Sequence, residues 1–397
     1  PPCSVFNKRN ELAASPTAPL SLYYDPSDRK LHLKGASKGW LKIDYDLDGK
    51  ADATCTELDE NGDGLFDRRQ IDVDGDDQID MRTGKISVDG GNGTDYLIAD
   101  LSAETANITL GLVWAAIGND IGGGNFVAGI ERVNLTTGSG DDTIHTFNGL
   151  ATVGTGDDAL DDTVDTREGS DAVTVYGGND SITMGQNGTA DDDHLTIDWA
   201  HLTGAVTGGY TSYNTTEADN EGYGTFSNAD ANHSVSFSGT ERLTVLTGSG
   251  NDNITTGLGN DIITVSTGSD TVVANAGDDF IGLTGDGTDN VAGGAGSNTL
   301  SVDFSASTAN VTLNGSTLMA GVYGSVTFSG ISTFGISLSA YADSITTGSG
   351  DDTLNGNEGD DTLNGAGGDD IVNGDWGHDR LTGGLGNDTM DGGDGDD

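Results

Sequence analysis

Bases, glutamate and cysteine are all scarce in this sequence, and each shortage excludes something. Lys and Arg together number 16 in 397 residues, against 65 Asp and Glu, for a formal net charge of −49. No Lys follows Lys85, which excludes a nucleic-acid binder relying on a basic surface. The acids divide into 55 Asp and 10 Glu, whereas charge carried for solubility or helical salt bridges draws heavily on Glu and Lys. Leu, Ile, Val and Phe sum to 82. That share, about a fifth, lies just above the range in which high charge predicts disorder, and it excludes an ordinary helical enzyme. No apolar run approaches the roughly 18 residues of a membrane span. Cys3 and Cys55 are the only cysteines. They form one disulfide in an exported protein or two free thiols in a cytosolic one, and their spacing leaves both open. What abounds is Gly, 64 residues of it, beside short acidic side chains. That combination suits a divalent cation, calcium first.

The charge is unevenly placed. Residues 1–89 hold 12 bases and 18 acids and net −6, while residues 90–397 hold 4 Arg and 47 acids and net −43. Self-repulsion on that scale opposes a compact state unless counter-ions bind, so the composition break near residue 88 marks a domain boundary. The chain starts at Pro1 without Met and stops at Asp397 in mid-pattern, as a trimmed piece of something longer would.

From residue 343 onward an Asp falls every nine residues: Asp343, Asp352, Asp361, Asp370, Asp379, Asp388 and Asp397. Two residues before each lies a Gly, Tyr341 excepted, and two residues after comes Ile345, Leu354, Leu363, Val372, Leu381 or Met390. The register recurs at Asp252, Asp261, Asp270 and Asp279, with a weaker copy containing Asp142, Asp171 and Asp180. The segment Gly383-Gly384-Leu385-Gly386-Asn387-Asp388-Thr389-Met390-Asp391 fits G-G-x-G-x-D-x-U-x throughout, with Met as the large apolar residue U. Other copies depart at position one or two, as in Gly356-Asn357 and Gly374-Asp375.

These nonads resemble those of the RTX (repeats-in-toxin) calcium-binding proteins, in particular surface-layer, filament and adhesin members. The resemblance implies a parallel β-roll in which each nonad gives a turn and a short strand, and two nonads complete a coil. The residues support this in their own right. Glycines permit left-handed angles that aim carbonyls at one point, and calcium takes six to eight hard oxygens. One nonad cannot supply so many. Residues 18 apart then stack, so that Asp352 with Asp370, and Asp361 with Asp379, would share ions between turns, while the U residues form two inward ladders.

A longer repeat overlies the nonads. Strand-like segments around Tyr96, His194 and Thr299 align, as do Gly129-Ile130-Glu131-Arg132-Val133 and Gly239-Thr240-Glu241-Arg242-Leu243. Alternation such as Ser234-Val235-Ser236-Phe237-Ser238 adds further strand signals, and the nearest helix candidate, Asp100 to Trp114, is rich in β-branched residues. The expected fold is all-β: parallel β-roll or β-solenoid modules stapled by calcium, with a small N-terminal calcium-loop domain. Its expected divisions are residues 1–87, 88–186, 187–292 with nonads 247–283, and 293–397 with nonads 347–397.

The first domain carries a second calcium signal. Asp44-x-Asp46-x-Asp48-Gly49-x-x-Asp52 is followed by Asp59-x-Asn61-x-Asp63-Gly64-x-x-Asp67 and by Asp72-x-Asp74-x-Asp76-Asp77-x-x-Asp80. The odd positions of such loops converge on one ion. They resemble EF-hand loops, but the twelfth positions hold Cys55, Gln70 and Thr83 instead of the bidentate Glu. The spacing leaves no room for flanking helices, so structural loops similar to thrombospondin type 3 repeats match better. Ahead of them, residues 21–34 read as a β-hairpin around a Pro-containing turn.

Catalytic signals are weak. Gly35-Ala36-Ser37-Lys38-Gly39 fits a nucleophile elbow only formally, since a strand and a calcium loop follow it. The six His, including His194, His201 and His378, show no H-E-x-x-H. No enzymatic activity and no catalytic residue is expected. The expected role is a secreted, calcium-binding structural protein: a surface-layer, filament or adhesin rod, bacterial and exported by type I secretion, that rigidifies on binding many calcium ions outside the cell. Its expected partners are other copies of itself, end to end or side by side, and surface glycans. The alternative is a calcium-folding export region of a toxin, protease or lipase whose catalytic domain lies elsewhere. An ice-binding solenoid is disfavoured, because the third nonad positions, Ser349 through Trp376 to Asp394, share no residue type.

Overall fold

The computed structural model describes residues 107–111, 132–146, 161–185, 192–213, 222–229 and 233–397, together with eight short strands at Ser21–Asp25, Lys30–Lys34, Thr54–Leu58, Arg68–Asp72, Ser87–Asp89, Tyr96–Asp100, Asn119–Asp120 and Phe126–Ala128. Among the described residues every element is a strand and no helix occurs. The fold is all-β, and its regular part is a parallel β-roll. Of the segment nearest to a helical pattern, Thr109–Gly111 is strand.

The chain forms two compact units: residues 1–195 with 235–239, and residues 196–234 with 240–397. In the first, Ser21–Asp25 pairs antiparallel with Lys30–Lys34, the hairpin expected from its turn. Thr54–Leu58 pairs antiparallel with Arg68–Asp72. Further on, Tyr96–Asp100, Arg132–Thr136, Thr163–Asp165 and Asn179–Thr183 follow one another in parallel. A second parallel set comprises Thr109–Gly111, Thr143–His145 and Ala172–Val175.

The second unit shows why nine residues recur. Consecutive nonads send their strands to opposite sides, so each strand pairs with the one 18 residues away: Ile345 with Leu363 and Leu363 with Leu381 on one side, Leu354 with Val372 and Val372 with Met390 on the other. Inward U side chains are fully covered along most of the roll, with Ile254, Ile263, Ile281, Leu354, Leu363 and Val372 all at 0 % exposure, whereas in the last coil Leu381 is half-buried and Met390 is 52 % exposed. A single buried aliphatic of this size stabilises by about 1.5–3 kcal/mol. One per nine residues is a sparse core.

Two irregular hairpins interrupt the coils. Val206–Tyr213 pairs antiparallel with Gly222–Asn228, and Thr312–Asn314, Thr317–Met319 and Gly324–Ser329 form a meander. Both join the parallel ladder: Val206–Tyr213 pairs with Asn253–Thr255, and the meander is joined at both edges, Gly324–Ser329 to Gly287–Ala292 and Thr312–Asn314 to Ser344–Thr346.

The turns explain the departures from the nonad pattern. Position two is left-handed: Asn357, Ala366 and Asp375 have φ of 69°, 70° and 69°. Asn and Asp tolerate that region, whereas Ala carries a cost there. Position four is governed by close approach, since an added Cβ at Gly377 would collide with the Gly359 carbonyl of the neighbouring coil.

Candidate metal centre

The register aspartates stack as their 18-residue spacing requires. The Asp352 N–H donates to Asp370 Oδ1 at 2.8 Å, the Asp343 N–H to Asp361 Oδ1 at 2.8 Å, and the Asp361 N–H to Asp379 Oδ1 at 2.8 Å. The chain continues from Asp370 to Asp388 at 3.1 Å and from Asp379 to Asp397 at 2.8 Å. In the earlier block, Asp270 accepts from Asp252 and Asp279 accepts from Asp261, while Asp252 and Asp261 accept from Val206 and Leu243. Asp142, Asp171 and Asp180 accept from Ile108, Asp142 and Asp162. Most of these carboxylates are buried, Asp352, Asp361 and Asp370 to 1 % exposure and Asp379 to 6 %. Asp388 is half-buried and Asp397 exposed. The N-terminal candidates Asp44, Asp46, Asp48, Asp52, Asp59, Asn61, Asp63, Asp67, Asp74, Asp76 and Asp80 lie outside the described residues, as do Cys3 and Ser37. Of Asp72 only the backbone, at the end of Arg68–Asp72, is described.

Four members of the inner ladder are missing from the residues picked out in the sequence, Asp162 although it stands nine residues before Asp171, the other three because they fall out of that register. Asp162, Asp193, Asp289 and Asn298 are buried and accept the N–H of Val133, Asp171, Asp270 and Asp279. The last two sit 19 residues from their partners rather than 18, because one extra residue enters the turn around Gly285. The signal that marks them is local: each is followed two residues on by Val164, Leu195, Val291 or Leu300, all buried.

An outer ladder runs alongside. Position-five side chains accept the N–H of the following coil: Asp369 to Asp351 Oδ1 at 2.7 Å, Asn387 to Asp369 at 2.8 Å, and His378 to Asp360 at 3.0 Å. His378, exposed as its position suggests, accepts through Nδ1 from the Asp396 N–H at 3.0 Å. Neighbouring coils therefore clasp reciprocally, 352 reaching forward to 370 while 369 reaches back to 351.

The second carboxylate oxygen divides the nonads into two kinds. In one kind the chain itself supplies a donor: the Thr247 hydroxyl bonds Asp252 Oδ2, the Gly257 N–H bonds Asp261 Oδ2 at 3.0 Å, and Ser339 gives its N–H and hydroxyl to Asp343 Oδ2 at 2.9 and 3.0 Å. In the other kind, no donor among the described residues reaches Oδ2 of Asp279, Asp289, Asp361, Asp370 or Asp379. A buried carboxylate oxygen left this way is costly. Where position one is Gly, the space a side chain would take is bounded by oxygens. A Cβ at Gly356 would overlap Asp361 Oδ2 and lie 2.6 Å from the Gly374 carbonyl oxygen. A Cβ at Gly374 would overlap Asp379 Oδ2 and lie 2.7 Å from that of Gly392.

Burial sets the electrostatics. Removal from water raises Asp261 and Asp270 from 3.8 to about 6, and Asp171, Asp279, Asp289 and Asp361 to about 7. Hydrogen bonds from the neighbouring coil pull the other way, and the nearby carboxylates push up further. A divalent cation beside these groups would hold them ionised. Among the described residues no three His, Cys, Asp or Glu side chains gather as a metal-ligand set. Such a cation would therefore draw on backbone carbonyls, and calcium accepts these readily. Oxygen-only donors, unpartnered carboxylate oxygens and glycine-cleared space together fit calcium.

Fold and site thus define a parallel β-roll built to hold hard cations. Residues 246–281, 283–302, 339–372 and 373–397, together under a third of the chain, match four copies of the RTX calcium-binding nonapeptide repeat. No curated protein matches the chain. These repeats bind calcium.

Proposed function

We propose that the protein is a secreted, non-enzymatic structural component, of surface-layer, filament or adhesin type, whose roll is completed by calcium outside the cell. The observation that carries this reading is the row of buried aspartates whose second oxygen lacks a donor. Asp279 and Asp289, and Asp361, Asp370 and Asp379 with the carbonyls beside Gly356 and Gly374, would hold the ions. Bound calcium supplies positive charge where the chain has no donors. The chain's own part is to aim the carboxylates, fix them with the neighbouring coil's N–H groups, and exclude water.

At low cytosolic calcium the segment netting −43 repels itself and stays open enough to be threaded through an export channel. Extracellular modules bind calcium at dissociation constants of about 10⁻⁴–10⁻³ M. At about tenfold excess each site adds roughly 1.4 kcal/mol, so about ten sites would rival the stability of a whole domain. Modular repetition of strands ahead of nonads favours the structural role over an export region for a distant catalytic domain.

The test is a calcium titration followed by far-UV circular dichroism, protease resistance and electron microscopy. Calcium-dependent folding with ordered rods or sheets is expected. Unchanged dichroism and protease resistance after chelation would sink the calcium-folding reading. Folding without any assembly would sink the structural role.

A further inference from the structure

On the outer face of one ladder, strand register places Thr264, Gly282, Ser301, Gly335 and Thr353 in a single row across five strands. The alternate residues Ile263, Ile281, Leu300 and Leu354 point inward and are fully buried. The outward row is the floor of an open groove of about 610 Å³.

Gly282 and Gly335, like Gly348 and Gly367, lack the positive φ or close approach that explains most of the glycines. A Cβ on Gly282 would meet nothing closer than the Phe280 ring at 3.4 Å, and one on Gly335 nothing closer than Ser301 Oγ at 3.7 Å. A glycine inside a strand costs about 0.5–1 kcal/mol relative to Ala, and its usual reason is a bulge or the close approach of something else. Two such glycines flanking Ser301 leave an open floor.

The two lips differ. Phe280, 41 % exposed, stands on one lip as its aromatic member, in a row that continues through Thr299 and Thr333. Asp303, Ser337 and Asn355, aligned across three strands, make the other lip polar. A sugar ring has this division, with a C–H face suited to an aromatic ring and hydroxyls at its edge suited to carboxylate, hydroxyl and carboxamide. The floor's backbone is committed to ladder pairing, so an extended peptide laid there would leave its own amides unpaired. The lining contains no base, and the chain carries −49, which repels uronate, sulfate and phosphate groups. Five strands at about 4.8 Å span roughly 19 Å, enough for a short oligosaccharide.

We propose that this groove binds neutral polysaccharide. It is a binding site separate from the calcium cradles, although the coils must be folded for it to exist.

The test uses the calcium-loaded full chain on an array of neutral glucan, mannan and N-acetylglucosamine oligomers beside uronate, sialylated and sulfated chains. Binding to one or more neutral oligomers is expected. Gly335→Val, which fills the floor with a strand-compatible side chain, and Phe280→Ala should each weaken it at least about tenfold, with the calcium midpoint unchanged. Hydrogen exchange on the unmutated protein should show glycan protection at Phe280–Thr284, Thr299–Asp303 and Thr333–Ser337. Absence of neutral-glycan binding, preference for the anionic chains, affinity retained in both variants, or protection elsewhere would each overturn the proposal. Loss of calcium-dependent folding in the unmutated protein would instead count against the proposed function.

Discussion

Coils around Asp252 and Asp261 and coils around Asp361, Asp370 and Asp379 share one backbone plan and treat the same carboxylate differently. In both, Oδ1 accepts an N–H from the coil before. In the earlier block Thr247 and Gly257 complete Oδ2 from within the chain, whereas Gly356, Gly365 and Gly374 leave space beside it. A repeat motif read by its aspartate alone would count these as equal sites. The donor, where the chain supplies one, comes from position one (Thr247) or position two (Gly257, Ser339), and a Gly at position one removes the side-chain source and clears space for a cation.

The largest expected effect of this contrast is regional. On chelation, hydrogen exchange at Thr362–Gly367, Ile371–Asn373 and Arg380–Leu385 should rise at least about tenfold more than at Asn253–Thr255 and Ile262–Val265. Equal loss in both regions would erase the distinction. Next comes a pair of substitutions. Asp361→Asn keeps an oxygen for the Asp343 N–H but removes the charge, so the calcium-dependent part of stability should fall by about 1.4 kcal/mol at tenfold calcium excess. Thr247→Gly should do the reverse. It strips Asp252 Oδ2 of its hydroxyl at a cost of about 1–3 kcal/mol without calcium, and added calcium should recover much of that. Urea unfolding across a calcium series reads both.

Acidity offers a third contrast. Asp279 and Asp361 titrate at about 7 in the folded, metal-free chain against 3.8 when unfolded. Their folded pKa is raised, so their stabilisation is fully present below pH 4 and disappears as pH rises through 7. Calcium-free protein should therefore gain strand signal in circular dichroism on going from pH 8 to pH 5, and need less calcium there. The smallest effect is local. Ala366 holds a left-handed φ of 70°, so Ala366→Gly should stabilise its coil by about 1 kcal/mol, seen as a small rise in Tm at fixed calcium.

Much of the fold was legible because a strict period is a strict geometry. Nine residues between aspartates meant alternate sides, and 18 meant stacking, from which the buried Leu354, Leu363 and Val372 follow. One added residue near Gly285 was enough to hide Asp289 and Asn298, since a register argument has no tolerance for a shift. Position five varies in identity but not in chemistry. Asp, Asn and His each offer an acceptor to the next coil, and that capacity is what the position requires. The split between completed and open carboxylates depends on where a hydroxyl points. Thr247 turns to Asp252 and Thr347, five residues before Asp352, bonds that carboxylate as well as the Gly365 carbonyl, whereas the Ser339 hydroxyl reaches Asp343 from four residues away, so no single spacing marks the donors.

The reciprocal clasp between 351–352 and 369–370 limits how such a protein can change length. Losing nine residues would transfer every later strand to the opposite ladder and set each clasp against the wrong neighbour. Losing or gaining 18 leaves every clasp intact and moves the stack by one strand spacing, about 4.8 Å. The roll is in effect a ruler graduated in coils, and a gain or loss off the marks has to be absorbed in a turn, as at Gly285, or in a hairpin between coils.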